Sequence, residues 1–429
     1  MPIKRGVVYA AAVLMALASA AMHFPSGEPP LGLWGLRYSD VVYGVFYTRF
    51  SPGLFPSEVS SLWLRPEAYY RLINDMSGCP APYVDYRFEY PPLVAALWYA
   101  TTCAGFALSP LLGGSGSPQE FVDVAAVVHY LLQSVAAAAA LIASARYLLL
   151  LLEPRGRAGE ALAYVLMPSL LFYLTYNWDI LAAAFAVASL YYYYGGKPAR
   201  SGAMIALSVM SKALTAGLAL LALACYLARG RRREAGMYLL GALASGLALL
   251  IPLLALAPGA LQQLYEHHSG WYCENCVSML IFHDVWSPAH KYFFVAASPA
   301  VLATLAWLAA KGRADLLEIS YAAVAPLVVL NYVFSPQMCL MLQPFAVLSG
   351  LAAPYAIADA LNASFIVLFF EDAEVRRALG LGGGFDPWEL SSPAQWVAQA
   401  RNVILVALLA VVLHRAAREV LGRGRGPPR

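Results

Sequence analysis

Charge is scarce in this sequence, because Asp, Glu, Lys and Arg together make up only 12% of its 429 residues. Soluble domains carry about 25% charged residues, so the composition argues against an ordinary soluble enzyme. The sequence also has no P-loop, no dinucleotide-binding glycine fingerprint and no HExxH motif. It has neither a basic nucleic-acid surface nor the alternating ten-residue strands of a membrane β-barrel. These absences argue against nucleotide-driven, dinucleotide-dependent, zincin-type and nucleic-acid-binding functions.

Hydrophobic residues are abundant, at 61% of the chain. Apolar runs near 20 residues recur from end to end, which is about the length that crosses the hydrocarbon core of a bilayer. The sequence therefore predicts an all-α, polytopic integral membrane protein, with one transmembrane domain over residues 1–429 and roughly 11–13 membrane segments. We interpret the run 6–24 as a retained first helix rather than a cleaved signal peptide.

The distribution of basic residues predicts the orientation. They cluster in short loops, which the positive-inside rule places in the cytoplasm: Arg155 and Arg157, Lys197 and Arg200, 229–233, Lys311 and Arg313, and 415–429. Two long loops, 25–90 and 258–290, then lie outside, and their aromatic residues predict segments in the membrane interface. The stretch 91–110 is interpreted as re-entrant, because this keeps every basic loop inside. We expect a multi-pass plasma-membrane protein with its active site on the outer face.

Two apolar runs are interrupted by polar residues. The run 161–194 is too long for one span and is predicted to break at Asn177-Trp178-Asp179, and 202–228 is predicted to break around Ser211-Lys212. The segment 371–395 is predicted to be a loop. Ionisable groups at membrane depth are costly and therefore functional candidates: Asp40, Asp179, Lys212 and the cluster Glu266-His267-His268.

Each candidate also has an ordinary structural interpretation. Asp40 is a suitable general base, since a carboxylate near a reacting centre can take a proton, but a solvated loop acid is equally compatible with its position. Asp179 can cap the following helix, or it can orient an acceptor or another active-site side chain. Lys212 can extend its amine to the interface or bind a lipid phosphate as a point charge.

The second outer loop combines histidines with cysteines. His267, His268, Cys273 and Cys276 contain zinc-ligand chemistry, although their spacing fits no standard zinc motif. On an outer face, Cys273 and Cys276 can instead form a disulfide with each other or with Cys79. The other three cysteines, which lie in apolar helices, are predicted to be packing residues: Cys103, Cys225 and Cys339.

Six short strings, taken in order, resemble the multi-spanning glycosyltransferases of the GT-C superfamily. The resemblance is to the first mannosyltransferase of glycosylphosphatidylinositol-anchor synthesis and to bacterial polyprenyl-phosphate-mannose-dependent mannosyltransferases. The strings are Tyr38 to Phe46, Tyr90-Pro91-Pro92-Leu93, Asn177-Trp178-Asp179, Met210-Ser211-Lys212, His267-His268 with Glu274, and Ser335-Pro336-Gln337-Met338. Each string alone is weak, whereas their order through most of the chain is fairly specific.

This resemblance implies a GT-C-like helical bundle that transfers a hexose, with mannose as the leading candidate. The donor would be a polyprenyl-phosphate sugar, and the acceptor would be linked to a lipid or glycan. Asp40 would be the catalytic base of an inverting reaction. The donor phosphate would be bound by Lys212, His267, His268 and Arg87; the acceptor or sugar would be bound by Asp179, Asn177, Glu274, Gln337 and Tyr38.

No cofactor and no divalent metal are expected, because a lipid phosphate already leaves readily. Relatives in the anchor pathway carry a second acid two residues after the base, where this sequence has Val42. This departure keeps a catalytically silent GT-C-like subunit as an alternative. A transporter or lipid flippase is the other alternative, although transporters often carry internal repeats and none is visible here.

Overall fold

The computed structural model describes residues 4–54, 56–312, 314–382 and 384–422. Throughout this part of the chain the regular structure is helical, and extended pairing is limited to three isolated β-bridges. Seven of the helices are long and apolar enough to cross a membrane. The predicted all-α, polytopic membrane class is therefore confirmed, with shorter helices completing the bundle.

The segment 25–90, called the first outer loop after its predicted side of the membrane, is built from short helices. It follows α1 (Arg5–Met22), the first candidate span. The loop contains α2 (Trp34–Arg37), a π-type helix over Asp40–Phe46, α3 (Tyr47–Phe50), α4 (Pro56–Leu62) and α5 (Pro66–Asp75).

The helices α6 (Pro92–Leu108) and α7 (Pro118–Leu152) pack against each other beside this loop. At 1.5 Å per residue, the 35 residues of α7 extend about 50 Å, well beyond the hydrocarbon core. A disulfide joins Cys79 in the loop to Cys103 on α6. The prediction that Cys103 is only a packing residue is therefore wrong, and the bond ties α6 to the outer loop. With the turn after it, α6 is long enough to cross, so its re-entrant path stays a prediction.

The apolar run 161–194 is broken twice rather than once. It forms α8 (Gly159–Val165), α9 (Pro168–Tyr173) and α10 (Asp179–Tyr194). The second break lies at Asn177-Trp178-Asp179, as predicted. The first lies at Met167, whose backbone is extended (ψ 128°) because the ring of Pro168 disfavours a helical residue before it.

The run 202–228 breaks at Lys212, as predicted. Its two parts are α11 (Pro198–Ser211) and α12 (Ala216–Ala228), and Lys212 between them is extended (φ −157°, ψ 117°). The next helix is α13 (Arg232–Leu256). Only 6% of the most apolar 18 residues of this helix are buried in protein. This helix therefore lies at the periphery, where its apolar surface suits contact with lipid.

The rest of the chain forms the second outer loop and the last spans. The helices are α14 (Ala260–Gly270), α15 (Met279–Phe282), α16 (Ala289–Gly312), α17 (Ser320–Val329), α18 (Cys339–Leu348), α19 (Ala352–Phe370), α20 (Asp372–Ala378) and α21 (Pro393–Gly422). The helices α17 and α18 have only ten residues each, which is too short to cross the hydrocarbon core alone. The predicted loop 371–395 contains α20, so that part of the prediction is wrong.

The predicted cytoplasmic loops meet at one end of the bundle. Arg5 forms a bidentate ion pair with Glu153, and Arg155 lies 3.6 Å from Asp315. Arg229 donates to the carbonyl of Ala314 over 3.1 Å. Arg313 and the tail after residue 422 lie outside the described residues. The polar breaks in α8–α12 lie at the opposite ends of these helices, which is where the cavity described below is found.

The Cys79–Cys103 disulfide is expected to stabilise the fold, because it closes a loop with a sequence separation of 24 residues. Changing both residues to serine should lower the free energy of unfolding by about 2–4 kcal/mol. The measurement is the thermal unfolding of purified protein in detergent micelles, followed by tryptophan fluorescence. Cys225→Ser, at a buried free thiol, is the control and should change the midpoint much less. Equal midpoints for the double variant and the wild type would contradict this assignment.

Candidate active site

A cavity of about 730 Å³ lies where the two outer loops meet the broken helices. It is lined by eight of the ten predicted site residues: Tyr38, Asp40, Asn177, Lys212, His267, His268, Glu274 and Gln337. The polar groups share the cavity with two apolar flanks. One flank consists of Val209, Met210, Leu214 and Phe294, and the other of Phe365, Ile366, Phe369 and Phe370. A cavity of this kind can hold a polar headgroup and an apolar chain together.

Asp40 begins the π-type helix and projects into the cavity. One carboxylate oxygen, Oδ2, accepts hydrogen bonds from Nδ2 of Asn177 at 2.8 Å and from Nε2 of Gln337 at 3.3 Å. The Tyr38 hydroxyl donates to the same carboxylate. The backbone N–H of Val41 donates to the carbonyl of Tyr176, which joins the first outer loop to the turn before α10.

The pKa of Asp40 is raised to about 7. Burial is the main cause, since it disfavours the charged carboxylate, and the negative charge of Glu274 adds to it. The hydrogen bond from Asn177 and the charge of Lys212 act in the opposite direction. A carboxyl group with a pKa near neutrality can both take and return a proton under physiological conditions.

Gly44 leaves room for this carboxylate. A Cβ at position 44 would lie 3.0 Å from Oδ1 of Asp40 and 2.9 Å from the hydroxyl of Tyr38. A side chain here would therefore crowd the acid and its tyrosine partner. Gly44 belongs to the string from Tyr38 to Phe46, but its spatial role depends on the π-type turn and was not predicted.

Lys212 supplies positive charge at the break between α11 and α12. Its amine lies 3.3 Å from Oδ1 of Asp179 and above the ring of Tyr90, 5.9 Å from its centroid. The Lys212 side chain is only 15% exposed, so it faces the cavity and its buried partner rather than reaching for bulk water. Asp179 itself is fully buried and does not line the cavity. Neither of its carboxylate oxygens accepts a hydrogen bond from the described residues, so it does not cap α10, and the carboxylate instead forms an ion pair with Lys212.

His267 and His268 end α14 and line the cavity, where their burial lowers the pKa of each imidazole. Nε2 of His268 lies 3.2 Å from the carbonyl oxygen of Glu89. A carbonyl only accepts, so Nε2 carries the proton and the neutral ring presents Nδ1 as an acceptor. This favours a substrate hydroxyl over a phosphate at His268. Arg87, the other predicted phosphate ligand, is exposed and does not line the cavity.

Glu274 brings a carboxylate of the second outer loop into the cavity, which Asp40 and Glu89 also line. Its backbone N–H donates to Tyr332, and its carbonyl accepts from Phe334. Oε2 accepts from the indole of Trp271 at 3.2 Å, and burial raises the pKa of the side chain. Val42, by contrast, is fully buried in the apolar cluster below the cavity.

The flanking cysteines close this loop. Cys273 and Cys276 are joined in a disulfide. This confirms the predicted pairing with each other rather than with Cys79. Together with His290 they form the single cluster of metal-ligand spacing found among the described residues. Since both sulfurs are in the disulfide, they are not thiolate ligands, and the zinc interpretation loses two of its donors.

The side-chain amide of Gln337 is only partly satisfied by hydrogen bonds within the protein. Its Nε2 donates to Asp40, whereas Oε1 is buried without a hydrogen-bond partner among the described residues. A buried polar atom of this kind is costly unless something pairs with it. Its place in the cavity lining makes a substrate hydroxyl a suitable donor.

Comparisons with known proteins yield a single match. No protein-family model and no curated protein matches the sequence. A match is found with the crystal structure of ArnT from Cupriavidus metallidurans bound to undecaprenyl phosphate. It covers 97% of this chain and 77% of that chain, with 14% sequence identity and a TM-score of 0.45. The function of this chain is accordingly inferred from its own residues.

The hydrogen bond from Asn177 is expected to keep the pKa of Asp40 from rising further. Replacing Asn177 with leucine, which has similar bulk and no donor, should raise that pKa and leave more of the acid protonated at neutral pH. Infrared titration of the protonated carboxyl band in detergent micelles measures this shift. The band is assigned by its loss in Asp40→Asn, and an unchanged titration in Asn177→Leu would show that the bond does not tune the acid.

Proposed function

We propose that this chain is a membrane glycosyltransferase that moves a hexose from a polyprenyl-phosphate donor to a lipid- or glycan-linked acceptor on the outer face. Mannose is the sugar that the sequence resemblance favours. The observation that carries the proposal is one cavity that combines a carboxyl group of near-neutral pKa, a cationic amine and apolar flanks. The donor consists of a sugar, a phosphate and a long hydrocarbon chain. The carboxyl group suits the transfer of the sugar, the amine suits the phosphate, and the apolar flanks suit the chain.

Asp40 is assigned as the general base. It accepts the proton of the acceptor hydroxyl while that oxygen bonds to the anomeric carbon, and the bond from this carbon to the phosphate oxygen breaks. The electron pair of the broken bond leaves with the lipid phosphate. A single displacement of this type inverts the anomeric carbon. Asn177 and Gln337 hold the carboxylate that takes the proton.

Lys212 is assigned to the phosphate of the donor. Its amine is a fixed point charge next to the cavity, held there by Asp179. Charge develops on the phosphate oxygen as the sugar departs, and a positioned cation stabilises that charge more effectively in a water-poor site. Val209, Met210 and Leu214 are close to Lys212 in sequence and line the same cavity, so this flank suits the first isoprene units.

The acceptor is assigned to the polar groups of the cavity other than Asp40 and Lys212. The free Oε1 of Gln337 and the carboxylate of Glu274 can accept hydroxyl protons. His268 lines the same cavity, and its Nδ1 is left as an acceptor, so it suits the same role. The predicted involvement of His268 in phosphate binding is therefore revised to hydroxyl recognition, and Lys212 remains the phosphate ligand.

Replacing Asp40 with asparagine should reduce sugar transfer by about 10²–10⁴-fold, which is the usual contribution of a general base. The assay supplies polyprenyl-phosphate [³H]mannose to membranes that contain the protein and native acceptors, and counts label in lipid and glycan fractions. Because the base must be ionised, wild-type transfer should rise with pH through about 7, following the pKa of Asp40.

Full transfer by Asp40→Asn at equal protein level would reject the assignment of the base. Substrate counterflow in proteoliposomes without sugar transfer would instead favour the transporter alternative. Absence of both activities in the wild type would favour the silent-subunit alternative.

Lys212→Met should reduce transfer by about 10²–10³-fold, the usual effect of losing one electrostatic stabiliser. It should also lower the unfolding midpoint, because it leaves the buried carboxylate of Asp179 unpaired. The double variant Asp179→Asn/Lys212→Met removes both charges, so its midpoint should recover while its transfer stays low. Recovery of transfer in the double variant would show that Lys212 acts only in stability.

A further inference from the structure

Arg401 on α21 is a fully buried arginine within a candidate membrane span. Among the described residues it has no carboxylate within ion-pair distance, and its guanidinium lies over the ring of Phe334, 4.1 Å from the centroid. A charged side chain at such depth is expensive and marks a functional position. Arg401 does not line the cavity, so its function has to be exerted through its neighbours.

The guanidinium is satisfied by two asparagine amides. Nη1 donates to Oδ1 of Asn362 at 2.6 Å, and Nε and Nη2 donate to Oδ1 of Asn402 at 3.0 and 2.9 Å. Guanidinium carries donors only, so both amides must turn their oxygens toward it. Their NH₂ groups are therefore directed to other acceptors, and the fixed planar fork of arginine sets both orientations at once.

The first amide holds the turn that carries Gln337. Nδ2 of Asn362 donates to the carbonyl of Pro336 at 2.9 Å, and also to the hydroxyl of Ser169. Pro336 directly precedes Gln337, which donates to Asp40. Arg401 is thus linked to Asp40, the proposed base, through the Asn362 amide, the turn at Pro336 and the Gln337 amide.

The second amide holds the disulfide loop that carries Glu274. Nδ2 of Asn402 donates to the carbonyl of Asn275 at 2.8 Å. Gln395 on the same helix donates to the side chain of Asn275 at 2.7 Å. Asn275 directly follows Glu274 and has a left-handed backbone (φ 54°), so the loop needs outside contacts to keep this conformation.

We propose that Arg401 is a positioning residue. Through Asn362 and Asn402 it holds the side chains of Gln337 and Glu274 at fixed positions relative to Asp40. The two polar walls of the cavity come from distant parts of the chain. They are bonded to each other where Glu274 pairs with Tyr332 and Phe334, and the Arg401 guanidinium contacts the asparagine anchors of both. The inference rests on the proposed glycosyl transfer for its kinetic readout only. Its structural readout is independent of any activity.

The variant Arg401→Lys tests the role of the fork, because lysine keeps the charge but cannot set two amide planes at once. Misplacement by about 1 Å can cost on the order of 10²-fold in rate, so kcat for transfer from polyprenyl-phosphate [³H]mannose should fall by about 10–10²-fold. KM for the donor should stay within about twofold, since Lys212 and the apolar flank are untouched. Asn402→Ala, which removes one arm, should show a smaller loss of the same kind.

Arg376→Lys is the matched control. Arg376 is also buried, but it pairs with Asp372 at 3.0 Å and has its own carboxylate. Its replacement should leave kcat near the wild-type value. Unfolding midpoints of all variants are compared in detergent, and a kcat loss in Arg401→Lys that exceeds the control at similar midpoints supports positioning.

An activity-independent readout keeps the inference separate from the proposed function. The protonated carboxyl band of Asp40, assigned with Asp40→Asn, should shift in frequency in Arg401→Lys because the hydrogen bond from Gln337 is displaced. An unshifted band, or wild-type kcat in Arg401→Lys alongside an inactive Asp40→Asn, would overturn the positioning role. If wild-type membranes transfer no sugar, the proposed function fails, while the band shift still decides the role of Arg401.

Discussion

The hydrogen bonding of one carboxylate is the constraint on which the rest of the site depends. Asp40 leaves bulk water when the first outer loop packs against the bundle, and a buried carboxylate is costly unless donors meet it. One donor, Tyr38, belongs to the same loop, and two come from segments far away in sequence, Asn177 in the break before α10 and Gln337 in the turn before α18. Satisfying Asp40 therefore requires the outer loop, the break and the turn to converge, and their convergence forms the cavity.

The broken helices explain how a membrane bundle can hold so much polar chemistry. Irregular backbone at membrane depth is tolerated where it is enclosed by protein or lines a cavity. The break at Lys212 meets both conditions, since the Lys212 amine pairs with buried Asp179 and faces the cavity. The break at Met167 is different, because it lies among packed helices and follows from Pro168 alone. The polar breaks thus line the cavity at Asn177 and Lys212, whereas the proline break at Met167 does not.

Glu274, an acid of the second outer loop, shares the cavity with Asp40 and Glu89. Val42 occupies the place where the resembled relatives have a carboxylate, and it packs in the apolar cluster under the π-type helix. Glu274 reaches the cavity instead, on a loop closed by Cys273 and Cys276 and anchored by Asn402. The cavity is lined by three acids, Asp40, Glu89 and Glu274, and the negative charge of Glu274 contributes to the raised pKa of Asp40.

The amino-acid sequence by itself determined the membrane class, the breaks at 177–179 and 212, and most of the polar groups of the cavity. Composition and runs of apolar residues are local properties, and a charge within such a run is visible without a structure. Only the tertiary structure decided that Asp179 pairs with Lys212, that Cys103 pairs with Cys79, and that Arg401 donates to Asn362. These contacts join side chains far apart in sequence, and a single sequence contains no signal for which donor will meet which acceptor after folding.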